Sequence, residues 1–492
     1  MSASTAPPAP NVAPPSAETQ KRLLQELASI VGVESVMSGR AEMRVYDCDA
    51  YTVDKSTPSA VVLPQTTEQV SEIVKLCNRL RVPFIPRGAG TGLSGGTTAA
   101  CGGVIIATVR MNKILKTDIE NRRLTAQSGC INVNLSKAVK DHGMHYAPDP
   151  SSQGACTVGG NVAENSGGPH TLKYGVTTNH ITALKMVMPD GEIVELGGEN
   201  EDAAGYDLVG LVVGSEGTFG IVTEVTVRLT PMPQAYRTLL GVFETIDDCT
   251  QTVSDIISAG ILPGALEMID QLILQAIEDA FHFGFPRDAS AVLIIELDGF
   301  EAGLDEDAEK VREICRKNNA REVRLAATPE DRARLWIARK KGIGAAGRLA
   351  PSIVTQDGVI PRSKLPEVLR EIADISQRYR IRICNIFHAG DGNLHPCVLF
   401  DERDEDELQR VIKAGEEILH LCVRVGGSIT GEHGIGMEKI DAMPLLFSEA
   451  DIALMERVRG VFNNNVLCNP GKLFPSAKSC VEVKWRPRTA YV

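Results

Sequence analysis

The feature that most narrows the folding choices is a burst of glycine directly behind an apolar, extended stretch. Arg87 to Gly96 reads RGAGTGLSGG, five glycines in ten positions, and follows VPFIPR. Glycine at that density lets consecutive backbone N–H groups line a concave surface, which suits phosphate oxygens. Gly90-x-Gly92-x-x-Gly95 formally fits the dinucleotide fingerprint, but that fingerprint needs a helix to start inside it. Here TTAACGG continues with another turn, so a Rossmann fold is disfavoured. Taken alone, the stretch also reads as a plain surface turn. Two more segments of the same character change that reading: Pro150-Ser151-Ser152 with TVGGNVAENSGG from Thr157 to Gly168, and GSEGTFGI from Gly214 to Ile221. Three such loops imply a long ligand threaded along the backbone.

Around the loops the order of elements is strand, helix, strand. Helical periodicity begins near Lys21, SAVVLPQ is extended, TTEQVSEIVKLCNRL is helical, and further strands are expected at GVIIATV, RLTAQSG, ITALKMVMPDGEIVEL and GIVTEVTVRLT. The first half is therefore α+β. Pro231-Met232-Pro233 punctuates the chain, and a second α+β half follows, with helices over TPEDRARLWIARKKG, SKLPEVLREIADISQRY and DEDELQRVIKAGEEILHLCVRVG. The expected division is a disordered tail over 1–20, a ligand-binding domain over 21–232, a substrate-binding cap over 233–449, a segment over 450–478 returning to the first domain, and a tail over 479–492.

With 492 residues the chain is long enough for two cores. Its net charge of -12 opposes binding to nucleic acid or to an anionic membrane surface. No apolar run reaches the roughly 20 residues of a spanning helix, so direct membrane insertion is not expected. The twelve cysteines contain no CxxC pair. They read as buried thiols in a reducing compartment, which argues for the cytoplasm and against an iron–sulfur cluster or a structural zinc site in this chain.

PRGAGTGLSGG, YAPDPSSQGACTVGGNVAENSGG, LKYG, GYDL, GSEGTFGIVTEVTV and NPGKLFP occur in this order, and together they resemble the vanillyl-alcohol oxidase type of FAD-binding family. Within it, the FAD-linked glycolate oxidase catalytic subunits are most similar, and D-lactate and D-2-hydroxyglutarate dehydrogenases are related. The resemblance runs from about Glu42 to Pro475. It implies that Pro86, Arg87, Gly88, Ala89, Gly90, Thr91, Gly92 and Leu93 hold the FAD pyrophosphate. Pro150, Ser151, Ser152, Thr157, Gly159, Gly160, Asn161, Ala163, Asn165, Ser166, Gly167 and Gly168 would follow the flavin and ribityl chain. Glu216, Gly217, Gly220 and Ile221 would meet the adenine side, with Tyr174 and Asn469 near the cofactor. Tyr206 of GYDL reads first as a packed core tyrosine and Pro470-Gly471 as a helix terminator. Relatives often place a basic residue shortly before GYDL, where this chain has Glu199-Asn200-Glu201-Asp202.

The second half carries the chemistry. His388 and His395 flank a GDGN turn between two apolar runs, so a hairpin would bring both imidazoles to one side. That suits a divalent metal, with hydrogen-bonded structural histidines as the alternative. Glu432 and His433, on the loop GGSITGEHGIG, add a carboxylate and another imidazole where packing needs neither. The resemblance implies that His388, His395 and Glu432 hold the ion, commonly zinc with manganese or iron as alternatives, and that His433 is the base. Arg339 in LWIARKKG, read as ending a helix, is the expected cation for a substrate carboxylate; the alternative is a solvated basic helix end. Asn393 either orients the substrate or simply completes a turn.

The expected reaction is oxidation of a small 2-hydroxy acid, glycolate before D-lactate, with hydride passing to FAD. A redox-inactive FAD-binding scaffold is the rival of another class. Without a cluster of its own the chain would hand electrons on, and the resemblance implies a second flavin-domain subunit and an iron–sulfur subunit as partners, through which membrane attachment would be peripheral.

Overall fold

The computed structural model describes residues 16–198 and 205–475. Most of the two expected tails and the acidic stretch from Glu199 to Asp202 lie outside the described residues. The first helix, Ala17–Val31, starts earlier than its apolar periodicity because Ser16 caps it, its hydroxyl accepting the Thr19 N–H at 3.2 Å. Residues 17–20 are therefore helical, not tail.

Three larger sheets follow, beside a two-stranded pairing of Met144–His145 with Thr230–Pro231. In the first, Ala60–Val62, Val104–Ala107 and Phe84–Arg87 run parallel, with the short Val36–Met37 antiparallel at one edge. The helix Thr67–Leu80 makes the crossover and lays Val70, Ile73, Val74 and Cys77 into the core on that sheet, as its helical period requires. The glycine run begins at the carboxyl end of Phe84–Arg87. The second sheet is antiparallel, in the order 114–118, 123–127, 221–228, 181–187 and 193–197. Ile221–Arg228 alternates buried and half-buried residues along its whole length, whereas Ile114–Asp118 is nearly all exposed and offers no alternation to read. The third sheet has seven antiparallel strands in the order 322–325, 235–243, 291–299, 265–270, 382–388, 396–400 and 352–355. It starts just after Pro233, and helices cover both faces, with separate apolar clusters on each.

The chain end comes back to the first sheet. Phe84 N–H donates to Leu467 O at 2.9 Å and Asn469 N–H to Phe84 O at 2.8 Å, while Phe462 stacks on Phe219. NPG is therefore a loop against the sheet and terminates no helix, since the last helix ends at Phe462. Tyr206 is 92% exposed, which corrects the core reading. No helix of the described residues is long and apolar enough to cross a membrane, and the described cysteines are all free.

The two halves are joined by a buried charge hub. Glu296, on the third sheet, accepts hydrogen bonds from Thr238 Oγ1 at 2.8 Å, Arg332 Nε and Nη2 at 2.7 Å each, and Trp336 Nε1 at 2.6 Å. It also lies 3.3 Å from Nε2 of His170, which belongs to the first half and contacts Asp149 through Nδ1 at 2.9 Å. Burial disfavours both charges, yet their partners prevail: Glu296 is held down to about 2 and His170 is pushed up to about 10. The Glu296 contribution is present above its unfolded value and is lost as pH falls towards about 2. The His170 contribution is complete below its unfolded value and fades as pH rises through about 10. The hub should stabilise most between about pH 4.5 and about pH 6.5. Glu296→Ala strands Arg332 and His170 and is expected to cost about 3 kcal/mol in denaturant unfolding, with a flatter pH dependence than the parent chain.

Candidate active site

A cavity of about 340 Å³ lies between the glycine loops and the third sheet. Its first wall is the run from Pro86 to Leu93, all eight residues of which line it. None of the five backbone N–H groups from Ala89 to Leu93 donates a hydrogen bond to the described residues. Five free donors on one concave turn fit an anionic diphosphate. Gly90 has φ +73°, and a Cβ there would run into the Arg87 guanidinium. Arg87 itself points beneath the loop, donating to Cys48 O and Thr97 Oγ1 at 2.8 and 2.9 Å. It supports the turn and adds positive charge under it.

Pro150, Ser151, Ser152, Thr157, Gly159, Gly160, Asn161, Ala163 and Ser166 form the second wall, and Glu216, Gly217, Gly220 and Ile221 the third. Thr157 caps the short helix Val158–Glu164, and a Cβ on Gly159 would lie 2.6 Å from Ser128 Cβ, so only glycine permits that approach. The other expected cofactor residues stand behind the lining. Asn165 caps the same helix in a left-handed conformation, and Gly168 has φ +138° against Asp149. Gly167 N–H donates to Glu432 Oε2 at 3.1 Å. Asn469 Nδ2 ties Gly96 O to Glu216 O at 3.0 and 2.8 Å. Tyr174 is turned away: its hydroxyl donates to Asp298 across the seam, because its short helix faces the third sheet and not the cavity.

The last wall brings the histidines in. The strand Arg382–His388 ends at one, the strand Pro396–Phe400 begins just after the other, and the two strands pair antiparallel. The rings of His388 and His395 stand 5.0 Å apart, edge to face. Glu432 Oε1 lies 3.3 Å from His388 Nε2 and 3.4 Å from His395 Nε2. The ligand atoms of these three residues all fall within 4.8 Å of one another. His388 Nδ1 is held by Glu267 Oε1 at 2.7 Å, which leaves Nε2 facing Glu432. Burial opposes charge on Glu432, but His388, His395 and His433 hold its carboxyl down to about 2. His433 lines the cavity with its ring stacked on His395, centroids 4.9 Å apart. Its burial, with the positive surroundings of His395 and Lys439, lowers it to about 4.

Two expected residues are placed differently. Arg339 sits in the middle of the helix Pro329–Ala346, not at its end, and is 2% exposed. Its Nε donates to Glu267 Oε2 at 2.6 Å, and Nη2 has no partner among the described residues. The neighbouring Lys340 is the member of that basic cluster that lines the cavity. Asn393 has both features of its two readings: its N–H closes a turn onto Asp391 Oδ1 at 3.0 Å, and its buried Oδ1 is unpartnered.

The residue sequence reasoning missed is Asp357. Fully buried, it accepts the Thr430 hydroxyl at 2.6 Å, the backbone N–H groups of Gly431 and His433 at 3.1 and 2.9 Å, and Lys439 Nζ at 3.3 Å. Burial opposes its charge, yet His433 and Lys439 hold it well below the carboxylate range. Glu267 was also missed, although an acid inside the apolar strand Ala265–Asp270 is a signal that can be read.

Residues 58–197 match the family profile "FAD binding domain", and residues 232–473 match "FAD linked oxidases, C-terminal domain". The glycolate oxidase subunit GlcD of Escherichia coli strain K12 is 47% identical over 441 residues, covering 90% of this chain and 88% of that protein. The chain belongs to the FAD-linked oxidases. GlcD of Bacillus subtilis strain 168 is 43% identical, with coverage of 92% and 97%, and a D-lactate dehydrogenase of Anaerostipes hadrus is 34% identical, with 85% and 90%. Among solved structures, 4-ethylphenol oxidase from Gulosibacter chungangensis superposes with a TM-score of 0.78 at 18% identity, covering 96% of this chain and 99% of that one. p-Cresol methylhydroxylase gives 0.78 at 16% identity, covering 93% and 97%. These two share the fold, which is the vanillyl-alcohol oxidase type, and this FAD-linked oxidase has it throughout.

Two substitutions probe the site. Gly90→Val puts a branched side chain at a positive φ against Arg87, and the purified protein should lose its yellow colour and most bound FAD. Asp357→Ala leaves the buried Lys439 with only the longer carboxylate contact, to Glu438 at 3.7 Å, and unfolding should show a loss of about 3 kcal/mol.

Proposed function

We propose that this oxidoreductase converts a small 2-hydroxy acid to the 2-oxo acid, glycolate first and D-lactate second. The observation that carries the reading is the sharing of one cavity by His433 and the backbone cradle that suits FAD, with His395 and Glu432 on the same wall and His388 behind Glu432. The relatives named for glycolate oxidation and D-lactate dehydrogenation support it. The donor set fits a divalent ion: two buried imidazoles and a carboxylate converge, His395 Nε2 has no hydrogen-bond partner among the described residues, and Glu267 fixes the His388 ring from behind as a ligand's outer partner does. Imidazole with carboxylate suits zinc, manganese or iron.

When bound, FAD supplies a two-electron acceptor and the ion supplies positive charge beside the substrate oxygen. The chain's own residues do the rest. His433, neutral at working pH, takes the hydroxyl proton, which leaves the α-hydrogen free to depart with its electron pair. Asp357 holds the His433 backbone in place. Arg339, with Nη2 unpaired and Lys340 beside it, recognises the carboxylate. Asn393 orients the substrate through its unpartnered Oδ1. Ile343 and Thr355, which line the cavity, keep the substrate end small and help exclude water.

We assign 17–232 and 450–475 to the cofactor-binding domain and 233–449 to the cap, and place the protein in the cytoplasm. Electrons leave through a second flavin-domain subunit and an iron–sulfur subunit, a reading supported by the lack of any CxxC pair in this chain.

The test is stopped-flow flavin reduction over D- and L-2-hydroxy acids without oxygen. Glycolate or D-lactate should bleach the flavin, chelator should slow the bleaching, and His433→Ala should slow it about a hundredfold or more with FAD still bound. Absorbance unchanged by every acid would favour the redox-inactive scaffold.

A further inference from the structure

Where the glycine loops meet the histidine loop there are two carboxyl groups for which the reaction above has no use, Glu216 buried and Glu164 half-buried. Glu216 N–H donates to Ala163 O at 2.8 Å, which sets Glu216 beside Glu164, and both side chains line the cavity. Glu216 has φ 50°, a left-handed conformation that a non-glycine residue keeps only when its surroundings hold it. The holding contacts are plain. Its Oε1 accepts the Ile435 N–H at 2.7 Å and its Oε2 accepts the Gly436 N–H at 2.6 Å, and Lys439 and Lys472 add positive charge. Glu164 has no such support. Its Oε2 is fully buried without a hydrogen-bond partner among the described residues. The charged groups facing it are Glu216, Asp49 and Asp357, opposed by Lys439. A methyl built on Gly434 would overlap Glu164 Oε2 and lie 2.8 Å from Glu216 Oε1, so both carboxyl ends meet at that glycine. Two carboxylates this close, one buried and the other with its nearer oxygen shut off from solvent, are not kept ionised together. Glu216 already has its donors, so the proton belongs on Glu164.

We propose that Glu164 is a protonated carboxylic acid whose O–H donates to Glu216, and that this shared proton fastens the loop bearing Glu432 and His433 to the cofactor-binding half. Glu164 is thus a positioning residue, acting through Glu216 and the backbone of Ile435 and Gly436. Burial, reinforced by the charge of Glu216, pushes its carboxyl well above the usual range. A raised folded value means that the fastening is complete at low pH and is lost as pH rises through that value.

The test uses the full FAD-loaded chain and no hydroxy acid, so its failure leaves the substrate reading untouched. Glu164→Gln keeps a donor towards Glu216 but has no proton to lose. Infrared spectra at neutral pH should show a protonated carboxyl band in the parent chain that is missing from the variant. The melting temperature of the parent should fall by at least about 3 °C between about pH 7 and about pH 10, and that of the variant should fall less. Glu164→Leu, which removes the donor, should weaken FAD binding about tenfold. An infrared spectrum unaltered by Glu164→Gln, or an equal alkaline fall in both proteins, overturns the proposal. If the variant does not fold, the infrared spectrum of the parent still decides, since the absence of any protonated carboxyl band at neutral pH is incompatible with a fastening proton.

Discussion

A single buried carboxylate organises the histidine loop. Taking Asp357 out of water costs several kcal/mol on its own, and that cost is offset only because the loop turns its hydroxyl and N–H donors onto it. Hydrogen bonds to a charge contribute roughly 1.5–3 kcal/mol each, so the set can outweigh burial where one or two could not. The consequence is geometric. A glycine-rich loop that would otherwise have many conformations has one, and Glu432 and His433 project from it towards His388 and His395. Lys439 completes the neutralisation from the far side of the same loop.

The site also depends on segments far apart in sequence being closed on one another. Ser94, at the end of the first glycine loop, accepts the N–H groups of Met437 and Glu438 at 2.8 and 3.1 Å, and Gly167 N–H reaches Glu432. The Ser94 contacts tie the cofactor wall to the histidine wall through backbone groups alone, which do not change rotamer, and the Gly167 contact holds the Glu432 carboxylate itself. The Glu296 hub holds the same two halves further out. Most other ion pairs are exposed on at least one partner, for example Arg403 with Asp401 at 79% and 31%, and pairs of that kind contribute little. Rigidity therefore comes from a few buried charges and not from the many on the surface.

Much of this was legible in the chain because it rests on local rules. Glycine density marked the loops, the 3.6-residue period marked helices such as Leu365–Tyr379, and a turn between apolar runs marked the histidine hairpin. What escaped was long-range. Asp357 follows Thr355-Gln356 in an unremarkable run, and nothing nearby shows that its partners lie more than seventy residues on. Arg339 sits among Arg334, Lys340 and Lys341, and a cluster of cations reads as a helix end until Glu267, on another strand, shows which one is buried. Tyr174 belongs to a motif that lies beside the cofactor wall, yet its side chain takes a partner from the other half. Local pattern finds the turns and the backbone cradle, while the partner of a buried charge is fixed only by tertiary packing.

The division of labour follows from the same physics. A dinucleotide is long, flexible and anionic at its middle, so a cradle of backbone donors with few side chains holds it, and such a cradle works for any reaction the flavin serves. That is consistent with solved structures that share the fold at 16–18% identity. The choice of substrate needs side chains at fixed positions, and under the proposed function these come from the third sheet and the Asp357 loop, where buried charges are held by their hydrogen-bond partners. Several buried polar ends there have no hydrogen-bond partner among the described residues, Arg339 Nη2, Asn393 Oδ1 and His395 Nε2 among them. Buried groups of this kind rarely persist without a partner, and under the proposed function a small molecule with a carboxylate and a hydroxyl would give one to Arg339 and one to Asn393.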